Sequence, residues 1–299
     1  VNIPLMEMGH IDAAFLVAYQ AQGERDDQSL SNATAFAFKR IRQIKSQVEL
    51  QSRCLGIAVT PAELMSLKKE GKKAVLIGIE NGYAIGKDLK NIERFRDEGV
   101  SYITLCHNGS NDLCDSAAGD AEWNGLSPLG KEAVKEMNRL GIMVDVSHAS
   151  EATFYDVLKE STVPVIASHS SVRTLCDHAR NLTDDQIRAI AEKGGVIQVC
   201  LYTEFINNEP DKASLSDALE HIRYIIDLVG IDYVGIGSDF DGGGELIGCR
   251  AANELIQITV KLLGLGYTVR EIEKIWGGNL LRVMSKVQES ARIDHLSTN

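Results

Sequence analysis

Short apolar, β-branched runs alternate with longer segments of helical period along almost the whole chain, and this alternation constrains the fold more than any other feature. Strands separated by helix-length crossovers pair in parallel, so the pattern predicts a parallel sheet built from βα units, an α/β protein. Seven strand candidates are legible: Ala13–Tyr19, Ala74–Glu80, Ser101–His107, Ile142–His148, Pro164–His169, Gly195–Tyr202 and Tyr233–Asp239. Helix starts between them are marked by capping boxes at Thr60/Glu63, Thr183/Gln186 and Thr268/Glu271, with Pro61 at a first helical position. A long helix is expected over roughly 31–52 and a closing helix over about 268–288, while Asn207–Ser216 reads as a surface loop. No Pro/Ser-rich linker, low-complexity tract or internal repeat divides the chain, so one domain over residues 1–299 is expected. Seven such strands leave two architectures open: a doubly wound open sheet, or a (β/α)8 barrel that lacks one strand.

Composition narrows the function classes. With 44% hydrophobic and 24% charged residues the chain can bury a large core, which excludes a disordered segment or a small disulfide scaffold. A net charge of −11 supplies no basic stripe for nucleic acid or an anionic membrane surface, so small-molecule partners are expected. No apolar run approaches the roughly 20 residues that span a bilayer, and VNIPLMEMGH lacks the charged and apolar regions of a signal peptide. Six cysteines without CxxC spacing read as reduced, mostly buried thiols, which favours the cytoplasm. The first residue is Val, so a segment is expected to precede the chain as given, and an export signal would lie there.

The placement of metal-type side chains separates the two architectures. Glu80, His107, His148, His169 and Asp239 each stand at the C-terminal end of their own candidate strand. A barrel gathers those ends at one mouth, whereas an open sheet spreads them along an edge. Glu80 is the most informative of them, because an ionised carboxylate inside the apolar run VLIGIEN is costly unless it is paired or metal-bound. His148 and His169 follow in the same register, 21 residues apart, the length of one βα unit. A carboxylate with two imidazoles suits Zn²⁺ or a similar first-row ion. Other residues have plainer readings. Gly242-Gly243-Gly244 lacks phosphate-loop spacing and is expected to be a flexible loop over the mouth. Cys106 is expected to be a small core residue, Asp145 to face the helix layer, and Trp123 and Trp276 to serve packing.

Six segments in order, LIGIENG, YITLCHNGSND, GLSPLGKEAVKEMNRLGIMVDVSH, PVIASHSS, CDHARNLTDD and VGIGSDFDGGG, followed by WGGNLLRV, closely resemble the membrane (renal-type) dipeptidases of peptidase family M19. The resemblance runs from about residue 10 to 287 and implies a TIM barrel with a binuclear zinc centre that hydrolyses dipeptides, often tolerating a D-residue at the C-terminal position. It further implies that Glu80 bridges the two zincs and that His148 and His169 are imidazole ligands of one of them. By the same resemblance, His107 contacts the substrate and steadies the oxyanion, Arg180 holds the substrate carboxylate, and Asp239 handles the proton of the attacking water and the leaving amine. Asn181 and Tyr202 are implied as pocket walls, a metal-bridging hydroxide as the nucleophile, and a homodimer as the assembly.

The chain departs from the family pattern at its start. The first barrel strand of that family ends in a His-x-Asp pair that completes the second zinc site, and no such strand precedes Ala13 here. His10-Ile11-Asp12 comes before a strand instead of after one, which places it at the wrong end of a barrel for metal binding. Two explanations stand: a segment preceding the chain as given, or the loss of half the binuclear site. The alternatives to a dipeptidase are another metal-dependent amidohydrolase, acting on a cyclic amide, lactone or N-acyl amino acid, or a non-catalytic barrel without the first-strand ligands.

Overall fold

A computed structural model of the chain describes residues 1–297, with side chains described through residue 291. Two compact units are distinguished: Asp12–Val165 with the chain from Met284 onward, and Val1–Ile11 with Ile166–Val283.

The first unit holds β1 (Ala13–Tyr19), β2 (Leu55–Ile57), β3 (Lys73–Glu80), β4 (Val100–Thr104) and β5 (Met143–Asp145). All pairings are parallel: β1 with β3, β3 with β4, β4 with β5, and the short β2 with the start of β3. The interior of β3 is buried throughout, from Ala74 to Ile79, as a parallel strand covered on both faces must be. Gly78 lets the Tyr102 ring lie against the strand, since a Cβ there would meet that ring at 2.5 Å. The register pairs Tyr19 with Glu80, Glu80 with Thr104, and Thr104 with Asp145. Four strands therefore end level, and the residues just beyond them emerge along one edge. Asp145, expected to face the helix layer, is fully buried and accepts hydrogen bonds from Thr104 Oγ1 at 2.6 Å and Ser147 N at 3.0 Å. The carboxylate locks the turn that leads from β5 to His148.

The second unit holds β6 (Ile166–Ala167), β7 (Val196–Cys200) and β8 (Val234–Gly237), again parallel, with Cys200 level with Gly237. The three expected capping boxes are formed, and a fourth, Ser214 with Asp217, starts the helix Leu215–Val229 inside the stretch expected to be loop. The long helix runs Asp27–Leu50, earlier than expected, because Asp26 accepts from the N–H groups of Gln28 and Ser29. The closing helix is divided into Val269–Glu273, a π-helical turn Lys274–Gly278 and Asn279–Ser297.

Ahead of β1, residues Ile3–Met8 form a helix capped by Asn2. Asp12 is an exposed ion-pair partner of Lys68 at 2.7 Å, and its carbonyl accepts from Ala74 N at the N-terminal end of β1. Among the described residues no helix is long and apolar enough to cross a membrane.

Candidate active site

In the first unit, Glu80 is the last residue of β3, and its carboxylate is 13% exposed. Its Oε1 lies 3.4 Å from His148 Nε2 and 3.7 Å from His107 Nε2. The two imidazole rings are 4.2 Å apart, with Tyr19 edge-on to His107 at 4.9 Å. His148 Nδ1 is 3.1 Å from Asn108 Oδ1, and an Nδ1–H donated to that oxygen leaves the Nε2 lone pair directed at the Glu80 side. Such an outer hydrogen bond fixes tautomer and ring orientation in imidazole metal ligands. The sequence reading missed Asn108, because its partner lies 40 residues away and only the folded loop joins them.

The backbone around these side chains is tightly held. Asn81, fully buried at φ +88°, donates through its Nδ2 to Gln20 O and accepts at Oδ1 from Tyr83 N and Asn111 Nδ2. The loop after β4 is organised by Asp115, whose buried carboxylate accepts from the N–H groups of Glu122, Trp123 and Gly125. Ser116 donates its hydroxyl to the His107 carbonyl. His148 itself sits at φ +67°, a conformation that a non-glycine residue holds only where its surroundings enforce it.

In the second unit, His169 Nδ1 is 2.7 Å from Ser168 Oγ, and the His169 carbonyl accepts from Arg180 Nη2 at 3.1 Å. Arg180 is 5% exposed. Asp239 stands two residues beyond β8 at φ +55°, and its Oδ2 lies 3.8 Å from Cys200 Sγ. Burial pushes the Asp239 carboxyl up to about 6, against the opposing pull of the Arg180 charge. The glycine run is a tight turn around Asp239: Gly242 N and Gly244 N both donate to the Asp239 carbonyl, at 3.0 and 2.9 Å. A Cβ on Gly244 would stand 2.0 Å from the Ser238 carbonyl oxygen, so only glycine fits there. Tyr202 is half-buried with its ring 4.8 Å from that of Phe205. Asn181 is buried, donating to the carbonyls of Cys176 and Phe205 and accepting from Ser171 N.

The expected strands are shorter than read. His107, His148, His169 and Asp239 all lie beyond the last ladder residue, in the loops that follow β4, β5, β6 and β8, and only Glu80 is itself in a strand. The positive φ of His148 and Asp239 is incompatible with a continuing strand, which is why the ladder ends first. Cys106 is buried with its Sγ 3.6 Å from the His148 carbonyl, and burial with the Asp239 charge drives the Cys200 thiol strongly upward.

The family model for membrane dipeptidase (peptidase family M19) matches residues 1–298. A curated relative, dipeptidase tcpJ of Claviceps purpurea, is 32% identical over 298 residues, covering 97% of this chain and 70% of its own length. Dipeptidase aclJ of Aspergillus oryzae is likewise 32% identical, covering 98% and 71%. Among solved structures, the probable dipeptidase PvdM of Pseudomonas aeruginosa superposes with a TM-score of 0.91 at 28% identity, covering 96% of this chain and 88% of that one. The fold class is thus the α/β TIM barrel of these dipeptidases, as the strand-end pattern led one to expect. The chain belongs to the membrane dipeptidase family, peptidase family M19, and is a hydrolase of that metal-dependent class.

Proposed function

We propose that the chain is a metal-dependent dipeptidase, that Glu80, His148 and His169 are its zinc ligands, and that the substrate is a dipeptide. The observation that carries this reading is Glu80: a carboxylate at the end of a buried strand, facing the Nε2 atoms of His148 and His107, with the His148 Nδ1 engaged by Asn108. The donor set supports it, since a carboxylate and two imidazoles suit a first-row divalent ion. His169 fits the same pattern, its Nδ1 engaged by Ser168 Oγ so that Nε2 remains as the donor. Family membership supports the choice of a small peptide substrate.

When bound, the metal supplies an acidified water and polarises the scissile carbonyl. The chain's own residues do the rest. Arg180 is placed to receive the C-terminal carboxylate, a task suited to its planar fork, and this contact limits the substrate to a length that brings the carboxylate within reach. His107 donates from its imidazole to the oxygen on which charge develops. Asp239, raised to about 6, is ionised at neutral pH yet basic enough to take the proton of the attacking water and return it to the leaving amine. On the strength of the family membership, L-L and L-D dipeptides are both proposed substrates.

The test of the carboxylate clamp is Arg180→Ala. Losing a buried charge-assisted pair is expected to raise the KM for dipeptides about 100-fold while metal content stays intact. An unchanged KM would remove Arg180 from substrate binding.

A further inference from the structure

Arg180 lies in a loop without regular secondary structure between β6 and the helix Asp184–Glu192, so its direction must be set by side-chain contacts. Contacts with His178, His169 and Phe205 bear on it within the unit. The Arg180 backbone N–H donates to His178 Nδ1 at 3.1 Å, its Nη2 donates to the His169 carbonyl, and its Cζ lies 5.2 Å from the centroid of the Phe205 ring. Phe205 also meets His178, with ring centroids 4.7 Å apart, and its carbonyl accepts from the side chain of Asn181. One aromatic ring thus touches both the guanidinium and the imidazole that caps the arginine's own backbone. The ring is 8% exposed, on the short helix Thr203–Ile206 after β7.

We infer that Phe205 is the positioning residue of the carboxylate clamp, an inference that rests on the substrate-binding role proposed for Arg180. The ring acts in two ways. Its face attracts the cation and excludes water from one side of the guanidinium, which directs the hydrogen-bonding edge away from the ring. Its contact with His178 keeps that imidazole where a lone pair on Nδ1 meets the Arg180 N–H. Burial and the Arg180 charge both hold His178 toward its neutral form, consistent with an accepting Nδ1. A leucine would fill much of the volume of Phe205 but would provide neither the π face nor the flat contact.

The experiment compares Phe205→Leu, Phe205→Tyr, Arg180→Ala and the double variant, using dipeptides and the matching dipeptide amides, which lack the carboxylate. For Phe205→Leu the expected result is a KM for dipeptides raised about tenfold, with kcat within about twofold of the parent. Phe205→Tyr restores the ring and is expected to restore KM. Dipeptide amides should show no KM penalty from Phe205→Leu, and the double variant should be no worse than Arg180→Ala alone. An unchanged KM in Phe205→Leu, alongside a raised KM in Arg180→Ala, would overturn the role of Phe205 and leave that of Arg180 standing. An equal penalty on amides, or a KM that Phe205→Tyr fails to restore, would also overturn it, since either marks a merely structural effect. If Arg180→Ala itself leaves KM unchanged, the clamp reading falls first and this inference with it. Should Phe205→Leu fail to fold, Phe205→Tyr and the double-variant arm are replaced by Phe205→Met and Phe205→Trp, with the raised KM expected for Met alone.

Discussion

Asp239→Asn is expected to reduce turnover at least about 1000-fold while making the metal-free protein more stable at neutral pH. Both effects have one origin. The carboxyl rises from 3.8 to about 6 because burial penalises its charge, a displacement equivalent to roughly 3 kcal/mol. An acid whose folded pKa is raised binds its proton more tightly in the folded state, so stability falls as pH rises from about 4 through about 6. Above that window the folded protein carries the full cost of an ionised buried group. The amide of Asn is neutral at every pH, retains an oxygen acceptor beside Cys200 Sγ, and tolerates the left-handed backbone at position 239. Chelated Asp239→Asn is therefore expected to unfold a few degrees higher than chelated parent at pH 8, with the gain gone below about pH 4. Thermal unfolding across that pH range checks it. Retained turnover in Asp239→Asn would place the proton-transferring group elsewhere. In the parent enzyme kcat/KM should decline as pH falls through about 6, when Asp239 takes up its proton.

Glu80→Gln should have the largest effect of any single substitution. The amide preserves the shape of the side chain at the end of β3 but removes the charge that faces His148 Nε2 at 3.4 Å and His107 Nε2 at 3.7 Å. Zinc affinity is expected to fall at least about 100-fold and turnover at least about 10,000-fold, with the fold intact because β3 is held by its buried apolar residues. Metal titration with a competing chelator and far-ultraviolet circular dichroism measure the two parts separately. A variant that retains both metal and activity would exclude Glu80 as a ligand.

The polar end of an apolar run was the most readable signal in the sequence. A carboxylate after VLIGI has few inexpensive environments, and Glu80 does end the buried β3. The βα alternation led to the parallel pairing found in each unit, because hydrophobic period is local and survives in the chain alone. Strand lengths were less legible. Ile166–Ala167 is a two-residue ladder, and just beyond it the Ser170 N–H donates to the carbonyl of the distant Gln198 at 3.0 Å. The three-residue β2, with a glycine at its centre, has too little period to be recognised. The supporting residues were the least legible of all. Asn108 reaches His148 across 40 positions, Asp115 gathers three N–H groups from a loop, and Phe205 meets the loop residue Arg180 from a four-residue helix. Each of these contacts depends on loop conformation, which no local propensity encodes. The His10-Ile11-Asp12 segment was also legible: its place before a strand argues against a ligand pair, and Asp12 is the exposed partner of Lys68 ahead of β1.

The most direct measurement is the release of free amino acids from a panel of L-L and L-D dipeptides by purified protein, assayed with zinc, after chelation, and after zinc is restored. A metal-assisted dipeptidase cleaves the panel, loses activity on chelation and regains it with zinc. Hydrolysis that chelation leaves untouched, or a folded, zinc-loaded protein that cleaves none of the dipeptides, would contradict the roles proposed for Glu80, His148, His169, Arg180 and Asp239.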